Sequence, residues 1–358
     1  MPAEISIVIP TRERATYLRF ALRSALLAAD NAGCAVEIVV SDNASADETP
    51  EVVADFGDPR IVYRRTERRL SMRENFQFAL SHTTGAYIVY IGDDDSILPN
   101  GMRVLSELIA RHDPDAIKWR PPIYTWPDPE TGAPGELKLR PRWYDGRTEH
   151  LSADAVLETF EQARFFNYKD GGMIYHGCIS RRMIDRIEAK TGGPFFRGSS
   201  PDVFTSMQTL MVADNPIVNA KLPISLAGAS PRSNGAAGQK IAKSGGTVAG
   251  TEYSKFIEET GQDPWQCRLP VHCTSLELIT LDCLQSAAKI HGRALNLNVD
   301  AWTRRISTEI SRFAEPARSE SARLAGMLLD TDFAPPPGAR PSSAKSAARK
   351  SKRASQGL

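Results

Sequence analysis

The feature that most constrains this chain is a repeated unit: a short apolar, β-branched run that ends in a polar loop and gives way to an amphipathic stretch. Ile5 to Ile9 stops at Pro10 and passes through Thr11 to Arg14, after which Leu18, Leu22, Ala25 and Leu26 recur at helical spacing. Val36 to Val40 leads into the polar loop Asp42 to Glu48 and a short helix over Thr49 to Phe56. Ile61 to Tyr63 reads as a third strand, Met72 to His82 carries Phe76, Ala79 and Leu80 on a helical face, and Ala86 to Ile91 is the next apolar run. Such alternation predicts an α/β chain with a mainly parallel sheet flanked by helices on both faces. In sheets of this kind the ligand crevice forms where loops leave the carboxyl ends of the strands. Pro10 to Arg14, Asp42 to Asp47 and Asp93 to Asp95 all fall at such ends.

The third of these loops is chemically unusual. The strand ending at Ile91 runs through Gly92 straight into Asp93, Asp94 and Asp95. Adjacent carboxylates repel one another unless a cation is shared among them, so a divalent metal is the first hypothesis. The competing reading is structural, since Asp also caps turns and helices where strands end.

Further along, Asp115 to Trp119 predicts a strand, Pro121 to Arg142 an irregular excursion, Ala153 to Phe166 a helix, Met173 to Ser180 a strand and Arg181 to Lys190 a helix. Gly192 to Ser200 reads as a loop into a helix through Val212, with Pro201 and Asp202 suited to its first turn. Residues 1–226 thus form the expected α/β domain. Residues 227–250, rich in Gly, Ala and Ser, read as a flexible loop or lid. Residues 251–332 form a helical C-terminal extension, with helices at Glu252 to Gly261, Ser275 to His291 and Ala301 to Leu329, and 333–358 a disordered basic tail.

A chain of 358 residues with 41% hydrophobic residues can build a sizeable core, and a net charge of +1 gives it no global pull toward nucleic acid or membrane. Its five cysteines are scattered without metal-ligand spacing, as expected for free thiols in a reducing compartment. No secretory leader opens the sequence and no run reaches membrane-spanning length, so the expected location is cytoplasmic. The basic tail is a candidate for weak peripheral contact with anionic lipid at the inner membrane face, against the alternative of a solvated segment; it lacks the aromatics that would suggest nucleic-acid binding.

Taken in order, Ile-Val-Ile-Pro10-Thr11-Arg-Glu-Arg14, Val-Val-Ser41-Asp42-Asn43-Ala-Ser45-Ala-Asp47 and Tyr-Ile-Gly-Asp93-Asp94-Asp95 resemble the family 2 glycosyltransferases of the GT-A fold. The resemblance covers about the first two thirds of the chain. It implies an inverting transferase that takes a sugar from a nucleoside-diphosphate donor, a UDP-sugar by preference, to a hydroxyl of a glycan or lipid-linked acceptor. It further implies that Pro10, Thr11, Arg12, Arg14, Asp42, Arg73 and Asp93 hold the nucleotide, and that Asp94 and Asp95 hold Mn2+ or Mg2+. Hard carboxylate oxygens suit either ion. Where many relatives carry the first Asp of the acidic motif, this chain has Gly92.

By its place in the family order Asp202 is the base that takes the acceptor proton, although Ser-Pro-Asp is also an ordinary helix opening. Near a strand, His176 is a candidate acceptor contact, with a structural histidine as the alternative. Arg232 is a candidate diphosphate contact. Asp42, Asn43 and Ser45 could equally form an Asx turn, and Arg12 and Arg14 could be solvated. Two rival functions stand beside the transferase: a nucleotidyltransferase acting on a sugar phosphate, for which no Gly-rich phosphate loop follows the first strand, and a non-catalytic nucleotide-sugar-binding module.

Overall fold

In chain order the strands are β1 (Ile5–Thr11), β2 (Val36–Asp42), β3 (Ile61–Arg65), β4 (Tyr87–Tyr90), β5 (Ser96–Ile97), β6 (Ala116–Trp119), β7 (Ile123–Thr125), β8 (Glu136–Lys138), β9 (Thr148–Leu151), β10 (Gly177–Ser180), β11 (Ile217–Ala220) and β12 (Ser225–Ala229). They come from a computed structural model that describes residues 3–231, 240–245 and 252–338. Eight of them form the central sheet in the order β3-β2-β1-β4-β10-β6-β11-β9, and the other four a small sheet ordered β5-β12-β7-β8. The predicted parallel core is present: β1 pairs in parallel with β2 and β4, and β2 with β3. β10 is inserted antiparallel between β4 and β6.

Alternation along the strands sends side chains to two apolar layers. Ile7 and Ile9 of β1 pack on one face with Leu18 and Leu22 of helix Ala15–Asp30. Val8 faces the other way, into a cluster with Val39, Ile88 and Phe204 that continues to Leu281, Trp302 and Leu328 of the C-terminal helices. The helical extension therefore shares a core with the sheet. It comprises helices Glu252–Gly261, Leu276–His291, Val299–Ile310 and Ala317–Leu329. The single helix expected over Ala301 to Leu329 is split in two, the first half closing at Ile310 and Pro316 standing at the N-cap of the second.

Three other expectations change. Met173 to Ser180 is a strand only from Gly177, since His176 adopts a left-handed backbone with φ +50°. Pro121 to Arg142 is not wholly irregular but contains the β7–β8 pair. Ala227 to Ala229, expected to begin a flexible loop, belong to β12, which pairs in parallel with β7. Their small side chains read as linker, yet they serve close approach: a Cβ on Gly228 would lie 1.8 Å from the carbonyl oxygen of Asp94. Arg232 and the tail beyond residue 338 lie outside the described residues. All five cysteines are free. Among the described residues no helix is long and apolar enough to cross a membrane.

Candidate active site

Register brings the predicted loops together. Thr11 at the end of β1 lies opposite Asp42 at the end of β2, and Asp93 to Asp95 follow β4 on the other side of β1. Thr11 donates its hydroxyl to Asp93 Oδ2 at 2.8 Å. The Arg14 guanidinium spans the next gap, with one amino nitrogen 2.8 Å from Asp93 Oδ1 and the other 2.8 Å from Asp94 Oδ2. Ser230, just past β12, donates its N–H to Asp94 Oδ2 at 3.2 Å.

Thr11, Arg14, Asp93 and Asp94 line a cleft of about 600 Å³ together with Pro10, Arg12 and Asp202. A volume of that order suits a ligand with several rings. The C-terminal extension also lines it, through Tyr253, Phe256 and Glu259 on one face of helix Glu252–Gly261, and Glu259 forms an ion pair with Arg12. Helix periodicity predicts that face, but nothing in its residue types marks it as a cleft wall.

The three carboxylates differ in their surroundings. Asp93 is buried, and burial pushes it to about 6 even though Arg14 pulls the other way. Asp95 is equally buried but enclosed by donors: Gly92 N–H and the Tyr175 hydroxyl reach Oδ2 at 2.6 Å each, and Gly228 N–H reaches Oδ1 at 2.6 Å. Burial alone would raise Asp95, yet His176, Tyr175 and Gly228 together hold it below the usual carboxylate range. Gly92 is required here, since a Cβ would fall 2.5 Å from the Tyr175 hydroxyl and 3.0 Å from Asp95 Oδ2.

Four predicted site residues stand behind the cleft wall rather than on it. Asp95 has both oxygens engaged by the chain, which leaves it a fastener where a metal ligand was expected. His176, expected to face the acceptor, is enclosed between Ser225 Oγ at 2.8 Å from Nδ1 and Asp95 Oδ2 at 3.1 Å from Nε2. Its left-handed backbone turns the ring inward. Arg73 is buried with its guanidinium 2.5 Å from Asp263, an acid that also accepts from Ser71 Oγ at 2.6 Å. That arrangement ties the capped start of helix Met72–Leu80 to the C-terminal extension. Asp42 is fully buried, accepting from Ser45 N–H at 2.9 Å and from the Tyr63 hydroxyl at 2.6 Å. The Asx turn weighed at Asp42 is therefore formed, and its neighbour Asn43 lines the cleft.

Asp202 begins helix Pro201–Val212 as predicted and opens onto the cleft. Burial raises its carboxyl above the ordinary value, against Val203 N–H, Lys169 and the Tyr168 hydroxyl, which lower it. Tyr168, Tyr175, Ser230 and Glu259 complete the site. The two tyrosines sit outside any motif and no spacing rule singles them out.

For a divalent ion the donor set fits. Asp93 and Asp94 present hard oxygens side by side at the cleft, and a guanidinium already stands between them as a cation. Among the described residues no cluster of three acidic, histidine or cysteine ligands forms a protein-only metal cage, so the remaining ligands would be water or substrate oxygens, as Mg2+ prefers.

An α/β sheet with polar loops and paired acids gathered at its strand ends, and a further carboxylate at a helix start on the same cleft, defines a ligand crevice of the kind open α/β sheets carry. Residues 6–186, half of the 358-residue chain, match the glycosyl transferase family 2, and the chain belongs to that family. Among curated relatives, abequosyltransferase RfbV of Salmonella typhimurium is 33% identical over 105 residues, 28% of this chain and 31% of that protein. Succinoglycan biosynthesis protein ExoO of Rhizobium meliloti is 29% identical over 104 residues, 29% of each. The chain thus spans about a third of the length of the curated relatives it matches. Among solved structures, S. aureus TarS 1-349 with UDP-GlcNAc aligns at TM-score 0.49 and 13% identity over 91% of this chain and 88% of that one. Mannosyltransferase PcManGT from Pyrobaculum calidifontis, in complex with GDP-Man and Mn2+, aligns at TM-score 0.45 and 16% identity over 92% and 86%. Both are too distant to carry an inference about ligands.

Proposed function

We propose that the chain transfers a sugar, with inversion, from a nucleoside-diphosphate donor to a hydroxyl of a glycan or glycolipid. The observation that carries this is the placement of Asp202 on the same cleft as Thr11, Arg14, Asp93 and Asp94. The nucleoside end of the donor lies against Pro10, Thr11 and Arg12, with Asn43 beside them. Asp42 reaches a base only by exchanging Tyr63 or Ser45 for it. The diphosphate end lies at Asp94, next to Arg14 and Ser230. A bound Mn2+ or Mg2+ held by Asp94 with Asp93 would supply neutralisation of the charge that grows on the leaving diphosphate.

Asp202 accepts the proton of the acceptor hydroxyl as that oxygen bonds to the anomeric carbon and the bond to the diphosphate breaks. A carboxyl raised by burial is a stronger base than one on an exposed helix start. Attack from the face opposite the leaving group inverts the anomeric configuration.

The test incubates the full chain with a panel of UDP- and GDP-sugars, Mn2+ and glycan or glycolipid acceptors, and reads nucleoside-diphosphate release and product configuration by NMR. Inversion with metal-dependent release is the expected result. Retained configuration, or transfer undiminished by EDTA, would refute the corresponding half of the proposal. Polysaccharide assembly is part of the same reading, in line with the succinoglycan biosynthesis protein ExoO at the level of class, and a place at the inner membrane face rests on the basic residues of the tail alone.

A further inference from the structure

Arg14 occupies the position at which an external cation would be useful. Its two terminal nitrogens are divided between Asp93 Oδ1 and Asp94 Oδ2, each at 2.8 Å, and the same guanidinium donates to Ser230 Oγ. The side chains of Asp93 and Asp94 are 3% and 7% exposed, so they would be two uncompensated buried charges without it. Thr11 and the Ser230 N–H fix the carboxylates from behind, and the Tyr17 ring lies 5.3 Å from the guanidinium carbon. Arg14 Nε is buried with no hydrogen-bond partner. Asp93 Oδ1 is likewise buried without a hydrogen-bond partner, so the guanidinium meets Asp93 as an ion pair and of the two acids hydrogen-bonds only Asp94, and the contact leaves both sides with unused hydrogen-bonding capacity.

We propose that Arg14 is the resting counter-cation of the Asp93–Asp94 pair and exchanges with the divalent ion, which keeps the free enzyme's acidic site neutralised and its affinity for metal alone weak. Resting on the metal-dependent reading above, the inference adds a cost to metal binding that Arg14 sets: a charge-assisted contact must be broken before both carboxylates can turn to another cation. Donor and metal together provide a new anion for the displaced guanidinium, so binding of the two is cooperative.

The experiment measures Mn2+ binding to the full chain by loss of the free-ion EPR signal, without nucleotide and with UDP, for the wild type, Arg14→Gln, Arg14→Lys, Ser230→Ala and Asp94→Ala. Without nucleotide, Arg14→Gln binds Mn2+ about tenfold to about a hundredfold more tightly than the wild type, the range expected when one charged hydrogen-bonded contact need not be broken. Arg14→Lys stays near the wild type. Ser230→Ala, which removes one anchor of the guanidinium and leaves the N–H on Asp94, binds about threefold more tightly, a few tenths of that free energy on the same scale. It decides the matter if Arg14→Gln does not fold. UDP strengthens Mn2+ binding in the wild type and much less in Arg14→Gln. Should Arg14→Gln and Ser230→Ala bind Mn2+ no better than the wild type while Asp94→Ala abolishes binding, the exchange is wrong and the metal site stands. Should no form bind Mn2+ even with UDP, the metal-dependent reading falls and takes the exchange with it.

Discussion

Asp95 Oδ2 accepts the Tyr175 hydroxyl at 2.6 Å and lies 3.1 Å from His176 Nε2, so the last acid of the motif is spent on holding the segment before β10 against the turn after β4. Gly228 N–H on Oδ1 extends the tie to β12. Removing one partner of a buried charged network leaves the others unpaired and costs about 3–5 kcal/mol. Asp95→Ala is therefore expected to lower the unfolding free energy by roughly that amount in urea titration. Asp94→Ala, which leaves Arg14 paired with Asp93, is expected to cost about 1–2 kcal/mol. Equal losses in the two variants would remove the distinction between fastener and ligand.

Asp202→Asn tests the base. Losing a positioned general base slows the transfer step by about 10²- to 10⁴-fold, while donor binding, assigned to Pro10, Thr11, Arg12 and Asp94, is expected to stay within about twofold. Steady-state kinetics paired with calorimetric binding of the donor separates the two. A variant that loses donor affinity and keeps kcat would place Asp202 in binding instead.

How much of this was legible in the sequence depends on what each residue type advertises. β-branched runs and the alternation with helical stripes located β1, β2 and β4, because those patterns report burial directly. The carboxyl-end loops followed from topology, and with them Thr11, Arg14, Asp93 and Asp94. The division of labour among the three acids was not legible, since it depends on Tyr175, His176 and Gly228 arriving from distant segments, each unremarkable alone. Arg73 and Asp42 had the residue type of ligands but are consumed by Asp263 and Tyr63, partners that only the tertiary structure supplies. The aromatic wall at Tyr253 and Phe256 has the spacing of any buried helix face. Ala227 to Ala229 misled because small residues signal a loop and a close backbone approach equally well.

The raised carboxyl of Asp202 predicts the form of the pH profile. The base works when deprotonated, so activity falls as pH drops through its ionisation, with the acid limb above the ordinary carboxylate value of about 3.9. The hydroxyl of Tyr168 favours the charged form of Asp202. Tyr168→Phe is therefore expected to move the acid limb of kcat/KM upward by about one pH unit, the shift equivalent to a charged hydrogen bond of roughly 1.5 kcal/mol. A limb that stays put, or that moves to lower pH, would show that Tyr168 does not stabilise the carboxylate.

Stability should carry its own pH signature at His291, near the end of helix Leu276–His291. Burial, reinforced by the charges of Lys190 and Arg197, pushes its imidazole from 6.5 down to about 4. The folded state thus holds it neutral where the unfolded chain would bind a proton. Between these two values the unfolded state carries more protons, so stability is full above pH 6.5 and declines as pH falls toward 4. The full loss, reached near pH 4, is at most about 3 kcal/mol. In His291→Gln this proton uptake is absent, so the unfolding free energy of the wild type minus that of the variant is level above about pH 7 and falls between pH 6.5 and pH 4 in denaturant titrations. A difference that is constant across that range would mean His291 has the same proton affinity in both states and that its burial in the helical layer costs nothing in protonation.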